Sequence, residues 1–310
     1  MKIVCLDAAT LGGADLSAFE EFGTFESYAL TPPELVVERL AGADVAMVNK
    51  VVLSREVLEK TSLKLILETA TGVNNIDVEF AKQRGIAVKN VAGYSTQSVV
   101  QHTFALIFAF LSRIPYYDAW TKRGAWCESE IFTDFSRLTQ NLASKRHGII
   151  GLGTIGKEVA RISEAFGARV SYHSTSGMNL NTRFENLSLE ELLSQSDIIS
   201  IHAPLNEKTK NLLAYDRLRL LKPAAILINV GRGGIVNEQD LARVLNEREI
   251  YAGLDVLEAE PMVRNHPLLG VKDAERLIIT PHIAWASKQS LENLMTAVYE
   301  NLKEWLENGE

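Results

Sequence analysis

The chain has 310 residues, 46% hydrophobic and 23% charged, with a formal net charge of -7. That length favours two domains over one core, the composition is that of a globular protein rather than a disordered one, and the acidic balance with no basic run argues against nucleic acid or an anionic membrane as partner. The two cysteines, Cys5 and Cys127, lack metal-ligand spacing, so no metal site is expected and a reducing compartment is.

The first residues, Met1 to Asp7, form too short an apolar run for a signal peptide and read as a strand, which points to the cytoplasm. Strands are predicted at Ile3–Leu6, Val45–Val48, Leu65–Leu67 and Ile86–Val88. Amphipathic stretches at Pro33–Leu40 and Arg55–Lys60 lie between them, and Asp77–Arg84 is a short helix stopped by Gly85. This alternation predicts a parallel sheet with helices on both faces. From Thr96 to about Arg123 one helical pattern is apolar on most sides, which predicts a helix buried between domains or subunits. Its apolar stretch is shorter than a membrane span needs.

A second series follows, with strands at Gly148–Ile150, Arg169–Tyr172, Ile198–Ile201, Ala225–Asn229, Tyr251–Gly253 and Leu277–Ile279. Ser188 and Glu191 form a capping box. Ser287–Leu306 is one amphipathic helix. Two α/β units are therefore expected, with a cleft at the strand ends.

Gly151, Gly153 and Gly156 form a G-x-G-x-x-G between a strand and a helix, the setting in which a turn cradles a dinucleotide pyrophosphate at a helix N-terminus. An acid that would bind the ribose hydroxyls is missing after the next strand, where the chain reads Tyr172-His173-Ser174-Thr175-Ser176. His173 and Ser174 could instead receive a 2′-phosphate, helped by Arg183 if its loop folds back, so NAD and NADP both stay open.

Reduction of a 2-oxo acid needs a cation for the carboxylate and carbonyl, a proton donor, and a group that keeps the donor charged. Arg232, after the apolar run Ala225–Ile228, has the planar fork that suits a carboxylate. His282, after Leu277–Ile279, suits a proton shuttle. Glu260 is its candidate partner, if the two meet. Trp285 could wall a substrate pocket. Among the other histidines, His102 reads as a satisfied core or interface residue, His147 and His266 as surface or loop positions, and His202 as lining the cofactor site through its neighbours' backbone.

Over nearly its whole length the chain resembles the D-isomer-specific 2-hydroxyacid dehydrogenases, most of all their glycerate dehydrogenase (hydroxypyruvate reductase) branch. The stretches that carry the resemblance are Asn49–Val51, Ala70–Asp77, Val91–Thr96, Gly151–Gly156, His202–Leu205, Asn229–Gly233, Gly253–Pro261 and Thr280–Ala286. The resemblance implies two Rossmann-like domains, with a cofactor domain at 99–284 inserted into a substrate domain at 1–98 and 285–310, and a homodimer. It implies that Arg232 binds the substrate, that His282 is the acid/base and that Glu260 is its partner. Thr154, Ile155, Ala203, Pro204, Thr209, Val230, Gly231, Asp255 and Ala284 would contact the cofactor, Asp255 at the nicotinamide carboxamide. Asn49, Gly72 and Val73 would contact the substrate from the other domain.

The expected activity is therefore hydride transfer between NAD(P)H and a small 2-oxo acid, with hydroxypyruvate, glyoxylate and pyruvate all open. The alternative is a dinucleotide-sensing, corepressor-like binding module without turnover. A hydrolase or methyltransferase on a Rossmann fold would leave Arg232, Glu260 and His282 without a task.

Overall fold

The computed structural model describes residues 1–178, 181 and 183–308. The chain forms two compact units, Met1–Ser95 with Ala286–Glu310, and Thr96–Trp285. In chain order the first unit begins with β1 (Lys2–Cys5), β2 (Thr24–Ser27), α1 (Val36–Arg39), β3 (Val45–Val48), α2 (Arg55–Glu59), β4 (Leu65–Glu68), α3 (Val78–Gln83) and β5 (Ala87–Lys89). The second contains α4 (Thr96–Leu111), α5 (Ile114–Lys122), β6 (Arg146–Ile150), α6 (Thr154–Ala165), β7 (Arg169–His173), β8 (Glu185–Asn186), α7 (Leu189–Gln195), β9 (Ile198–Ile201), α8 (Tyr215–Leu218), β10 (Ile226–Asn229), α9 (Glu238–Glu247), β11 (Tyr251–Leu254) and β12 (Leu277–Ile279). The last helix, α10 (Lys288–Asn308), returns to the first unit.

The first unit is a parallel sheet in the order β2-β1-β3-β4-β5. All residues of β3 and β4 are buried, as their unbroken apolar runs predict for strands covered on both faces. Leu294, Val298 and Leu302 of α10 are buried in the same unit. β2 was not anticipated: Thr-Phe-Glu-Ser has no apolar run, and as an edge strand it needs none.

The second unit is a parallel sheet in the order β12-β11-β10-β9-β6-β7-β8. Its strand residues alternate between two core clusters. Ile149, Ile198, Ile226 and Ile228 pack with α4 and α6, whereas Ile150, Ile199, Ile201 and Leu227 pack with α7, α8 and α9. The capping box forms, Ser188 accepting from the Glu191 N–H, and is worth about 1 kcal/mol.

Where the sequence pattern predicts one helix from Thr96 to Arg123, the chain forms two, bent by 59°. Arg113 sits at φ 54 and Pro115, which has no N–H to give, opens α5 rather than prolonging α4. The apolar residues of α4 lie in the core of the second unit against α6, β10 and β11. Among the described residues no single helix is long and apolar enough to cross a membrane.

Because every strand pair is parallel, the strand C-terminal ends of each unit share one sheet edge. In the second unit that edge collects, in spatial order, the residues after β12, β11, β10, β9, β6 and β7.

Candidate active site

The turn after β6 is shaped by close approaches. Gly151 adopts φ 91, and a Cβ there would come within 2.9 Å of the Ala203 N. A Cβ on Gly156 would stand 2.2 Å from the Gly151 O, so only glycine lets α6 start this close to the strand. Gly153 differs, since a Cβ there would meet nothing within 4 Å. It opens onto free space at the start of α6, whose first residues are Thr154 and Ile155. Unbonded N–H groups and the positive end of a twelve-residue helix therefore face open space, as a pyrophosphate requires.

One strand over, the Gly151 N–H donates to the His173 O at 3.0 Å. The His173 Nδ1–H donates to the Leu187 O at 3.0 Å. Ser174 Oγ is buried and has no hydrogen-bond partner among the described residues. An orphaned hydroxyl beside an open glycine turn fits the ribose end of a dinucleotide. Arg183 does not join it. Its guanidinium pairs with Glu164 at 2.6 Å, about 15 Å along α6 from the helix start. On the other side of β6, Ala203 packs on Gly151 and Pro204 is exposed. Thr209 is buried, and its hydroxyl donates to the Pro204 O and accepts the Asn206 N–H. It shapes the 204–209 loop from within.

Arg232 follows β10, two strands and roughly 10 Å from the glycine turn. Asn229, buried at the strand end, fixes this turn: its Oδ1 accepts the Gly231 N–H and its Nδ2 donates to the Arg232 O. Val230 is buried, and Arg232 Nη1 donates to the Gly231 O at 2.9 Å. The neighbouring Gly233 lies against the next loop, where a Cβ would stand 1.9 Å from the Leu257 O.

That loop carries Glu260, and the structure brings it to His282. Nδ1 of the imidazole is 2.7 Å from Glu260 Oε2. A carboxylate only accepts, so Nδ1 carries the proton and Nε2 is left for a substrate. His282 takes φ 54, an uncommon backbone conformation for a non-glycine residue. Asp255 holds it there. The Asp255 O accepts the His282 N–H, while its buried carboxylate accepts the Ile283 and Ala284 N–H groups and the Thr280 hydroxyl. This anchoring of the histidine turn was not anticipated from sequence. His102 completes the network through Thr280 at 3.0 Å, a satisfied core residue. Trp285 packs against the core of this unit.

Two histidines are more buried than their neighbours in sequence suggest. His147 is fully buried between Ser163 (2.7 Å) and Ser200 (2.9 Å), and burial pushes its pKa down to about 3. It is a neutral core residue on a central strand, not a surface one. His266 is buried too, against Glu238. His202 donates to or accepts from Ser200 at 2.9 Å and packs beside Gly151.

In the first unit, Asn49 is buried after β3. Its N–H is held by Asp7 and its Nδ2 donates to Thr10, so its side chain is engaged within the unit. Gly72 and Val73 lie on the loop after β4, and no hydrogen bond among the described residues uses their N–H groups. No group of His, Cys, Asp or Glu among the described residues could hold a metal ion.

Comparison with known proteins bears on the family and the fold. The family model described as the NAD binding domain of D-isomer specific 2-hydroxyacid dehydrogenases matches residues 104–284. A hydroxypyruvate reductase of Blautia hydrogenotrophica is 36% identical over 320 residues, covering 100% of this chain and 98% of its own. A glycerate dehydrogenase of Methylorubrum extorquens is 37% identical over 305 residues, covering 97% of this chain and 95% of its own. Among solved structures, an acyclic imino acid reductase in complex with NADPH and D-Arg superposes with a TM-score of 0.88 at 33% identity, over 99% of this chain and 97% of that one.

Proposed function

The chain belongs to the D-isomer-specific 2-hydroxyacid dehydrogenase family and is an NAD(P)-dependent oxidoreductase of 2-hydroxy acids; from that premise we propose that it reduces hydroxypyruvate or glyoxylate, with Arg232, Glu260 and His282 as the working set. The observation that carries this reading is the 2.7 Å contact between His282 and Glu260 on the sheet edge that also presents Arg232 and the open glycine turn.

The unit Thr96–Trp285 serves as the cofactor domain, and Met1–Ser95 with Ala286–Glu310 as the substrate domain. A bound nicotinamide supplies or accepts the hydride. Gly153, Thr154, Ile155 and Gly156 receive the pyrophosphate on backbone N–H groups at the turn that Gly151 forms, and Ser174 meets the ribose end. Ala203, Pro204, Val230 and Gly231 line the same edge. Asp255 serves the carboxamide while anchoring the histidine turn. Arg232 binds the carboxylate through its fork and polarises the carbonyl. His282 gives its Nε2 proton to the oxygen as negative charge develops there, and Glu260 stabilises the charged ring and fixes its tautomer. Trp285 walls the pocket beside the histidine turn.

The assembly we propose is a homodimer. Ile131, Phe132, Phe135 and Leu138 are all exposed on one segment after α5, with Phe132 at 88%, an apolar patch that a second copy would cover. The acidic chain fits neither nucleic acid nor an anionic membrane as partner. Its two unpaired cysteines, Cys127 exposed, fit the reducing cytoplasm. A steady-state panel of 2-oxo acids with NADH and NADPH tests the substrate. Hydroxypyruvate or glyoxylate should give the highest kcat/KM; a bulky branched 2-oxo acid ranking above both would overturn the choice.

A further inference from the structure

The loop that brings Glu260 to His282 is held by a buried pair outside the reacting groups. Glu238 is the first residue of α9 and only 9% exposed. Both its carboxylate oxygens are used: Oε1 accepts the backbone N–H of Glu258 at 2.6 Å, and Oε2 faces Nε2 of His266 at 2.7 Å. His266 is 6% exposed, and its Nδ1 accepts the Leu268 N–H at 3.3 Å. Its ring proton therefore sits on Nε2 and is donated to Glu238. The same backbone is pressed by the arginine turn, since a Cβ on Gly233 would stand 1.9 Å from the Leu257 O and 2.4 Å from the Glu258 N. Two residues further on, Glu260 reaches back, its Oε1 accepting the Leu257 N–H at 2.9 Å and its Oε2 facing His282.

We infer that Glu238 and His266 are positioning residues, which fix the Leu257–Glu258 backbone and through it the placement of the Glu260 carboxylate on His282. This rests on the reading of Glu260 and His282 as the acid/base pair. The physical ground is that each link in the chain from His266 to His282 is a charge-assisted or buried hydrogen bond. Glu238 is also the only link between the 257–258 backbone and His266 in these contacts. Once the carboxylate is lost, at least one of the Glu258 N–H and the His266 Nε2–H is left unpaired in a nearly dry site, and the loop must shift to hydrate it. Glu260 shifts with the loop.

The test uses a signature of the contact itself. An imidazole N–H donated to a carboxylate at this distance gives a low-field proton NMR signal, assigned to His282 by its loss in His282→Gln and in Glu260→Gln. Glu238→Gln keeps the helix start but offers one acceptor oxygen to two donors. We expect the signal to broaden or vanish in Glu238→Gln and His266→Ala. In both, kcat should fall about 10-fold or more with the KM for the cofactor unchanged. His266→Gln, which can still donate to Glu238, should restore signal and kcat. Folded Glu238→Gln and His266→Ala proteins that keep both the signal and the kcat of the wild type would overturn the inference, whatever their loss of thermal stability. A wild type inactive on every 2-oxo acid would refute the reading of the site, while the response of the signal would still decide the positioning.

Discussion

Nδ1 of His282 lies 2.7 Å from Oε2 of Glu260, a residue 22 positions earlier in the chain. The carboxylate fixes the orientation of the imidazole and stabilises its charged form, in which the opposite ring nitrogen presents a proton to the substrate. Glu260→Gln preserves shape and removes the negative charge. It should lower kcat for reduction about 10- to 100-fold, whereas His282→Gln should cost about 10²- to 10⁴-fold. Steady-state kinetics on purified variants check the order; equal losses would mean that Glu260 does more than orient.

Ser174 Oγ is buried at the end of β7 with no hydrogen-bond partner among the described residues, where no acid stands. Ser174→Asp would place a carboxylate where it can accept the ribose hydroxyls and repel a 2′-phosphate. The ratio of kcat/KM for NADH over NADPH should rise by about 10-fold or more, measured with one 2-oxo acid at saturation.

Glu68 is fully buried in the first unit, and its Oε1 has no hydrogen-bond partner among the described residues. Burial pushes its pKa from 4.5 up to about 8, opposed by the Asn75 hydrogen bond, reinforced by Asp7 and partly offset by Lys50. The native state therefore keeps a proton that the unfolded chain releases near 4.5. The contribution is complete below that value, declines as pH rises, and is gone above about 8. The permanently neutral Glu68→Gln lacks this decline. Its stability relative to wild type should improve by a few kcal/mol, on the order of 1.4 per pKa unit, between those limits and level off above them, as denaturant titrations at several pH values would record. A constant difference across the range would refute a buried, proton-bearing Glu68.

Phe132 and Phe135 are 88% and 68% exposed. If a second copy covers them, Phe132→Asp with Phe135→Asp should convert a dimer to a monomer by light scattering behind size exclusion, without unfolding either unit. A wild-type monomer at micromolar concentration would remove this surface from consideration.

The features legible in the sequence were those whose signal is local. The three glycines declare themselves by spacing, and the structure assigns each a steric reason. Arg232 and His282 follow apolar runs, and in a parallel sheet a residue just past a strand falls on the common edge. Residues whose role depends on a distant partner were not legible. His147 and His266 give no sign of burial in their neighbours, because Ser200 and Glu238 lie 53 and 28 residues away. Asp255 was read as a cofactor contact, but its hold on the His282 turn depends on the β11–β12 pairing. The break at Arg113 had a local sign in Pro115, outweighed by the apolar run around it. β2 was hidden because an edge strand of this sheet can be polar.

The central claim is that Arg232 binds and polarises a 2-oxo acid on the edge that carries His282. It is tested most directly by kcat/KM for hydroxypyruvate in Arg232→Lys and Arg232→Ala, with cofactor affinity measured separately by fluorescence titration. A planar fork cannot be replaced by a point charge. Lys should therefore lose about 10²-fold and Ala about 10⁴-fold, both with cofactor affinity near that of the wild type. Near-normal turnover in the alanine variant would contradict the account.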